Sequence, residues 1–454
     1  MRLLSVILII LVAQNSGCKR ALEASPPIDQ IVFPFKNDTE ARAAISGIYE
    51  QMMEKGWQFT NSTTTLVTGL SADELYYYSP NFGGEFYNNR ITSISHPKLS
   101  EYFWAPAYRF IYTANLILEQ LKVSTTLSTN FKAAIEGEAR FVRAFCYFYL
   151  TSLFGDVPLL LISDYRKTSA TARTSTEIVY KQIVEDLEEA NRLFHSTASQ
   201  PSHTRPGKWA CLALLARVYL FQQKWTQAEA VTSEIINSGK FALLPNLDSV
   251  FLKNSTEAIW QLQPVNPFYN TYEGNYILPA AASSLPTFLL TPSLLKAFGP
   301  ADKRRKAWIK SRTFSNQLLY YPSKYKVYGN FAPVTEHYTV FRLAEIYLIR
   351  AEANAHQGRL PAAHEDLNKI RSRAGLGDAA ATNENSMTNA ILQERRVELF
   401  AEWGHRWIDL KREGNAVTLL SETKGLPIRS TDLLYPIPED QIKTNPNLTQ
   451  NPGY

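Results

Sequence analysis

AILQERRVELFAEWGHRWIDLKREGN (residues 390–415) and LLYPIPEDQIKTNPNLTQNPGY (residues 433–454) carry the reading of the whole chain. The first predicts an amphipathic helix whose charged face holds Glu394, Glu398 and Glu402 at four-residue spacing. Like charges at i,i+4 repel by roughly a few tenths of a kcal/mol per pair, so an isolated helix gains nothing from such a ladder. It makes sense where cations from elsewhere dock on it, and Arg371, Arg373, Arg395 and Arg406 are the candidates. The second stretch is rich in proline and asparagine, which predicts a turn-built tail.

Together these stretches resemble the C-terminal signature of the SusD/RagB family, nutrient-binding lipoproteins of the outer membrane in Bacteroidetes-type bacteria. The resemblance rests on Glu394, Arg395, Glu398, Leu399, Glu402, Arg406, Asp409, Leu410 and Arg412, then on Pro436 to Pro438 and Gln450 to Tyr454. Trp403 stands where the family usually has glycine, and Gly404 follows it. FKAAIEGEARFVRAFCYFYLTSLFGDVPLL, from Phe131, is similar to a second family segment, so the likeness covers nearly the whole mature chain. The charged residues of the motif read as an ion-paired packing element, not as catalysts.

At the other end, Arg2 precedes an apolar run from Leu3 to Ala13, then Ser16 and Gly17 before Cys18. That run is shorter than the roughly 20 residues a membrane-spanning helix needs, so it reads as a secretory h-region. The context of Cys18 resembles a bacterial lipobox, with Asn15 where leucine is usual. It implies a signal peptide over 1–17, a lipidated Cys18 and a tether over 18–30. Several acyl chains on one residue give stable anchoring. The chain is then held on a membrane without crossing it. Lys19 and Arg20 follow the cysteine, where surface-exported relatives carry acidic residues.

The rest of the chain is long enough for a large core. A helical region over 31–250 and a C-terminal region over 251–454 are expected to pack as one globular unit. Net charge is +5 with no run of five or more basic residues, so nucleic-acid binding has no support. Cys146 and Cys211 lie in apolar helical segments and read as small core residues, with a disulfide between them left open. No Cys/His cluster has metal-ligand spacing, no phosphate-cradling glycine loop occurs, and no cofactor is expected.

Helical periodicity runs over Asn37–Met53, Trp104–Leu121, Phe131–Phe154 and Ser175–His195. Gly155 and Pro158 stop the third. Ala213, Ala216, Ala228 and Ile235 match Leu348, Ala351, Ala363 and Ile370 at a 135-residue offset, the pattern of tetratricopeptide-type helix hairpins. The expected fold is all-α: a SusD-like helical scaffold with such hairpins and long irregular binding loops. Those loops are read over Thr60–Ser100 and Pro264–Phe331.

The loops hold the binding candidates. Gly83-Gly84-Glu85-Phe86 spells a diguanylate-cyclase signature, but in a loop of a helical protein it reads as chance. Ser71 and Glu74 fit a capping box, and Asp73 beside Glu74 would point about 100° away from it on a helix, so a catalytic pair is disfavoured. Asp73 is kept as a binding candidate because the resemblance places an acidic residue near the ligand here. Tyr76, Tyr77, Tyr78, Phe82, Tyr87, Asn88 and Asn89 form one candidate cluster, and Tyr269, Tyr272 and Tyr276 a second. A sugar ring has an apolar C–H face that an aromatic ring covers, and a hydroxyl rim that amides bond. The resemblance implies non-catalytic capture of an oligosaccharide at the outer membrane, facing the surface, and delivery to a SusC-like TonB-dependent transporter. Peptide capture, a protein-binding tetratricopeptide scaffold and a glycan-active enzyme are the rival readings.

Overall fold

The computed structural model describes residues 32–78, 82–92, 96–195, 203–281, 283–329 and 331–454. The signal peptide, Cys18 and the tether lie outside the described residues. The scaffold is mostly helical, built around the helix Thr129–Phe154, which is buried almost continuously from Ile135. Ser128 caps its start by accepting from the Phe131 amide, and Gly155, at φ 76°, ends it. It packs between the helices Ala105–Val123 and Thr176–His195. Arg143 joins all three, donating to Asp186 at 2.8 and 2.6 Å and to Asn115 at 2.8 Å. The helix Asp38–Glu54 begins at Asn37, whose side chain accepts from the Glu40 amide.

The two hairpins form as the repeated spacing predicts. Lys208–Phe221 pairs with Trp225–Asn237, and Leu343–Ala355 pairs with Leu360–Arg373. Ala213, Ala216 and Ala228 are fully buried in the first, and Ala351 and Ala363 in the second, because small residues let the helix axes approach. The second hairpin has its own apolar core, with Leu348, Leu367 and Ile370 packed beside Met387 and Ile391 of the next helix, Glu384–Glu398. Residues Pro34–Tyr454 cluster as one unit. Cys146 and Cys211 are both buried and free. Among the described residues, no helix is long and apolar enough to cross a membrane.

Three expectations are corrected. The stretch 390–415 is two helices, not one: Glu384–Glu398 ends, and His405–Arg412 starts after a turn. Ala401, Trp403 and Gly404 take φ of 50°, 46° and 76° in that turn. The turn buries Phe400 and Trp403, and the Trp403 ring stacks on Tyr338 at 4.7 Å while its Nε1 donates to the Thr339 carbonyl at 2.8 Å. Tertiary packing therefore overrides helical periodicity.

The regions read as irregular carry, secondly, short elements set between stretches of loop. The first contains the helix Thr63–Ser71, strand β1 (Leu75–Tyr77) and a short helix Phe82–Tyr87 that carries the Gly83–Phe86 tetrapeptide, and it ends where a π-helical turn, Ser100–Trp104, begins. The second contains the short helix Tyr272–Ile277, β3 (Phe288–Leu290) and the hairpin of β4 (Ile309–Phe314) and β5 (Gln317–Pro322). β1 pairs antiparallel with β3, and β2 (Ala258–Leu262) with β6 (Tyr338–Arg342).

Thirdly, Ser71 and Glu74 form no capping box. Ser71 closes a helix instead of opening one, and its hydroxyl bonds Tyr435 at 2.8 Å. The C-terminal tail is turn-built as expected: the Asn451 amide donates to the carbonyls of Phe154 and Tyr435, and Gln450 brackets Ile437 through both its backbone groups.

Candidate functional site

The β1–β3 register decides where the consecutive tyrosines go. Tyr77 lies opposite Phe288, and their rings meet edge-on at 5.2 Å. Alternation along the strand sends Tyr76 to the other side, where its neighbours are Tyr87 and Tyr78. Tyr78 is 42% exposed and meets Phe314 of the β4–β5 hairpin edge-on at 6.0 Å.

Phe288 also approaches Trp57 at 6.2 Å, and Trp57 links the two tyrosine clusters. Its ring stacks on Tyr102 at 5.7 Å and lies 4.8 Å from Tyr276. From there the row continues through Tyr272 at 5.9 Å and Tyr269 at 4.4 Å to Phe268 and the 70% exposed Phe331. Tyr272 and Tyr276 share a helix face at i,i+4, and Thr271 caps that helix by accepting from the Gly274 amide at 3.0 Å. The Phe59 amide donates to the Tyr102 carbonyl at 2.7 Å, which ties the Trp57 loop to the π-turn. Tyr77, Trp57, Tyr102, Tyr269 and Tyr276 are all partly exposed, so one aromatic band runs along this part of the molecule. Asn266 and Asn275 are partly exposed beside it, and Lys98 sits 5.1 Å over the Tyr102 ring.

The remaining candidates have other partners. Asp73 is buried and accepts from Arg396 and from Arg406 at 2.7 Å. Burial alone would raise its carboxyl, but those two guanidinium groups outweigh it and hold it low. Asn89 is buried at φ 52°, donating to the Ser71 carbonyl and accepting from Lys424 at 2.7 Å. Both are anchors of the fold, with their polar atoms engaged by protein. Asn88 is exposed, Tyr87 is partly buried over the Lys424 ammonium at 4.9 Å, and the Phe82 side chain lies outside the described residues. Trp57, Tyr102 and Phe288 were not among the residues the sequence singled out. Only the pairing of Gly56 with Trp57 just after a helix end signals the first.

The ion pairs under the motif of residues 390–415 are internal. Glu398 is fully buried and accepts from Arg304 at 2.9 Å, from Arg342 at 2.6 Å and from Arg373. Burial would raise its carboxyl, yet Arg373, Arg342 and Arg304 hold it well below the usual range. Glu394 pairs with Arg304 and Arg371, and Glu402 with Arg342 and Lys324. Arg371 and Arg373 thus dock as expected. Arg395 and Arg406 do not: Arg395 holds Asp409, and Arg406 holds Asp73. Arg304, Lys324 and Arg342 complete the ladder from segments whose approach no local pattern predicts.

A family profile described as starch-binding and associating with the outer membrane matches residues 22–220, and one described as the SusD family matches residues 304–424. The chain belongs to the SusD/RagB family. It is 24% identical to a SusD-like protein of Formosa agariphila, over 99% of each chain. A crystal structure of a SusD superfamily protein from Bacteroides vulgatus superposes with a TM-score of 0.82 at 20% identity, covering 92% of this chain and 99% of that one. A laminarin-binding SusD-like protein superposes with a TM-score of 0.77 at 24% identity, covering 92% of this chain and 100% of its own. The signature of the SusD/RagB family is, in this chain, a set of buried ion pairs that fix the turn at Leu399–Gly404.

Proposed function

We propose that this SusD/RagB chain captures a glucan-type oligosaccharide without cleaving it. The aromatic band carries the reading: rings from four separate segments line up with partly open faces and neighbouring amides, which suits the alternating apolar faces and hydroxyl rims of a glycan. The starch-binding description of the matched profile and the laminarin-binding neighbour support a glucose polymer. Non-catalytic action fits the state of the paired acids, since Asp73 is committed to two arginines and Glu74 is buried beside it. The contacting residues are Trp57, Tyr77, Tyr102, Tyr269 and Tyr276, backed by the buried Tyr272, whose hydroxyl donates to the Glu54 carbonyl, with Tyr76, Tyr78, Tyr87 and Asn88 extending the surface past β1.

The family assignment supports the rest of the role. Lipid on Cys18 anchors the chain to the outer membrane, facing outward, and a SusC-like TonB-dependent transporter receives the captured oligosaccharide. The test is laminarin-oligosaccharide binding by titration calorimetry. Trp57→Ala and Tyr276→Ala each weaken binding by about fivefold or more, equivalent to about 1 kcal/mol, while the melting temperature stays nearly unchanged. Wild-type affinity in both variants would exclude the band as the site.

A further inference from the structure

A separate cavity of about 190 Å³ lies where the helices Glu384–Glu398, His405–Arg412 and Ala416–Lys424 meet. Arg396 and Arg406 enter it from different helices and share one acceptor, Asp73. Arg406 donates to Asp73 through Nε at 2.7 Å and Nη2 at 3.2 Å. Arg396 uses Nη2 alone, toward Asp73 and the Ser293 hydroxyl. Among the described residues, Nε of Arg396 is buried with no partner, and neither its Nη1 nor Nη1 of Arg406 meets a protein acceptor. A guanidinium has five N–H donors in a fixed planar fork, and buried donors call for acceptors.

The other charges around the cavity are already matched. Asp409 is held by Arg395 at 2.8 Å and by Arg412 at 2.8 Å, and Glu413 by Arg412 at 2.7 Å. Beside Asp73, burial and the Asp73 charge push Glu74 up to about 8, so that carboxyl is protonated at neutral pH. Two guanidinium charges therefore face a single carboxylate. Asn389 and Gln393 add exposed amide groups at the cavity's edge.

We propose that this cavity binds a small oxyanion, a carboxylate or a sulfate group, on the Nη1 donors of Arg396 and Arg406, with the buried Nε of Arg396 outside the contact. The planar fork of arginine matches both groups in geometry and charge. The anion is either free in solution or a substituent of an acidic sugar. The site shares no residue with the aromatic band, so it stands or falls independently of the glucan reading.

The test uses the full chain at pH 7 and fixed ionic strength, with chloride exchanged for sulfate, for glucuronate, or with glucose added as a neutral control. Sulfate raises the melting temperature along a saturable curve, glucuronate does the same and glucose does not. Asn389→Phe places a ring at the cavity edge without touching the Asp73 pairs; it melts like wild type in chloride and loses the saturable rise. Glucuronate binding at least tenfold tighter than sulfate identifies a sugar substituent as the source, and the reverse a free anion. Selenate soaked into crystals gives an anomalous peak between Arg396 and Arg406. A linear, unsaturated sulfate effect, an equal effect in Asn389→Phe, or no selenate at that position overturns the proposal.

Discussion

Glu398→Gln removes one negative charge from the protein interior while nearly preserving volume. Around Glu398, Arg304, Lys324, Arg342, Arg371 and Arg373 interlock with Glu257, Asp302, Glu394, Glu398 and Glu402. The substitution leaves Arg304, Arg342 and Arg373 short of a counter-charge, and breaking a buried pair in this way costs about 3–5 kcal/mol. At about 2.1 cal/mol/K per residue, the unit Pro34–Tyr454 unfolds with an entropy of roughly 0.9 kcal/mol/K, so the melting temperature falls by about 3–6 °C. Acid supplies a second check. The Glu398 carboxyl is depressed well below its ordinary 4.5, so its contribution is complete above pH 4.5 and is lost as pH falls through the folded value. Calorimetry from pH 7 downward therefore shows a gap between wild type and variant that is full at neutral pH and closes in strong acid. A shift under about 1 °C at pH 7, or a gap that widens on acidification, refutes the account of a charge-balanced core. Normal melting with lost glycan binding would place Glu398 in the site instead.

Trp403→Gly relieves a left-handed backbone at about 1–2 kcal/mol but forfeits a stacked, hydrogen-bonded ring worth about 3–5 kcal/mol, so urea denaturation shows net destabilisation. Equal or greater stability of the glycine variant would mean that the ring contributes nothing. Glu74 is raised from 4.5 to about 8, so the native state loses stability from pH 4.5 upward until the group ionises. Glu74→Gln is accordingly favoured over wild type by a margin that grows from pH 4.5 and levels off above about pH 8, which melting curves across that range will show or deny. Cys18→Ala releases the protein from the membrane fraction, and retention through a high-salt wash would move the anchor elsewhere.

Local rules made the scaffold legible. Ala213, Ala216 and Ala228, and their counterparts in the second hairpin, name close-packed helices by size and spacing alone. The break after Glu398 was hidden because its cause is remote: Arg342, Lys324 and Tyr338 reach the turn from segments far away in sequence and reward a backbone that periodicity disfavours. Both tyrosine clusters stood out by composition, and the structure joins them. The joint was not legible, since it depends on the register that puts Tyr77 opposite Phe288 and on a loop that turns Trp57 toward Tyr276. Asp73 and Asn89 looked available because sequence shows a polar group but not the Arg396, Arg406 and Lys424 that occupy it.

Four tyrosines at the band sit against three glycines. A methyl group added at Gly56 would run into the Tyr276 hydroxyl and stand 2.6 Å from the Tyr272 ring; at Gly83 it would meet Tyr77 at 2.5 Å, and at Gly329 it would run into the Tyr269 ring. Rings seated this closely against backbone are restrained on the side that faces it, so part of their torsional freedom is already given up in the native state. A freely turning side chain loses about 0.5–1.5 kcal/mol when a partner immobilises it. A molecule laid across these rings meets a stiffened template that incurs less of that loss. Its own flexibility, more than that of the protein, then sets the entropic penalty of docking.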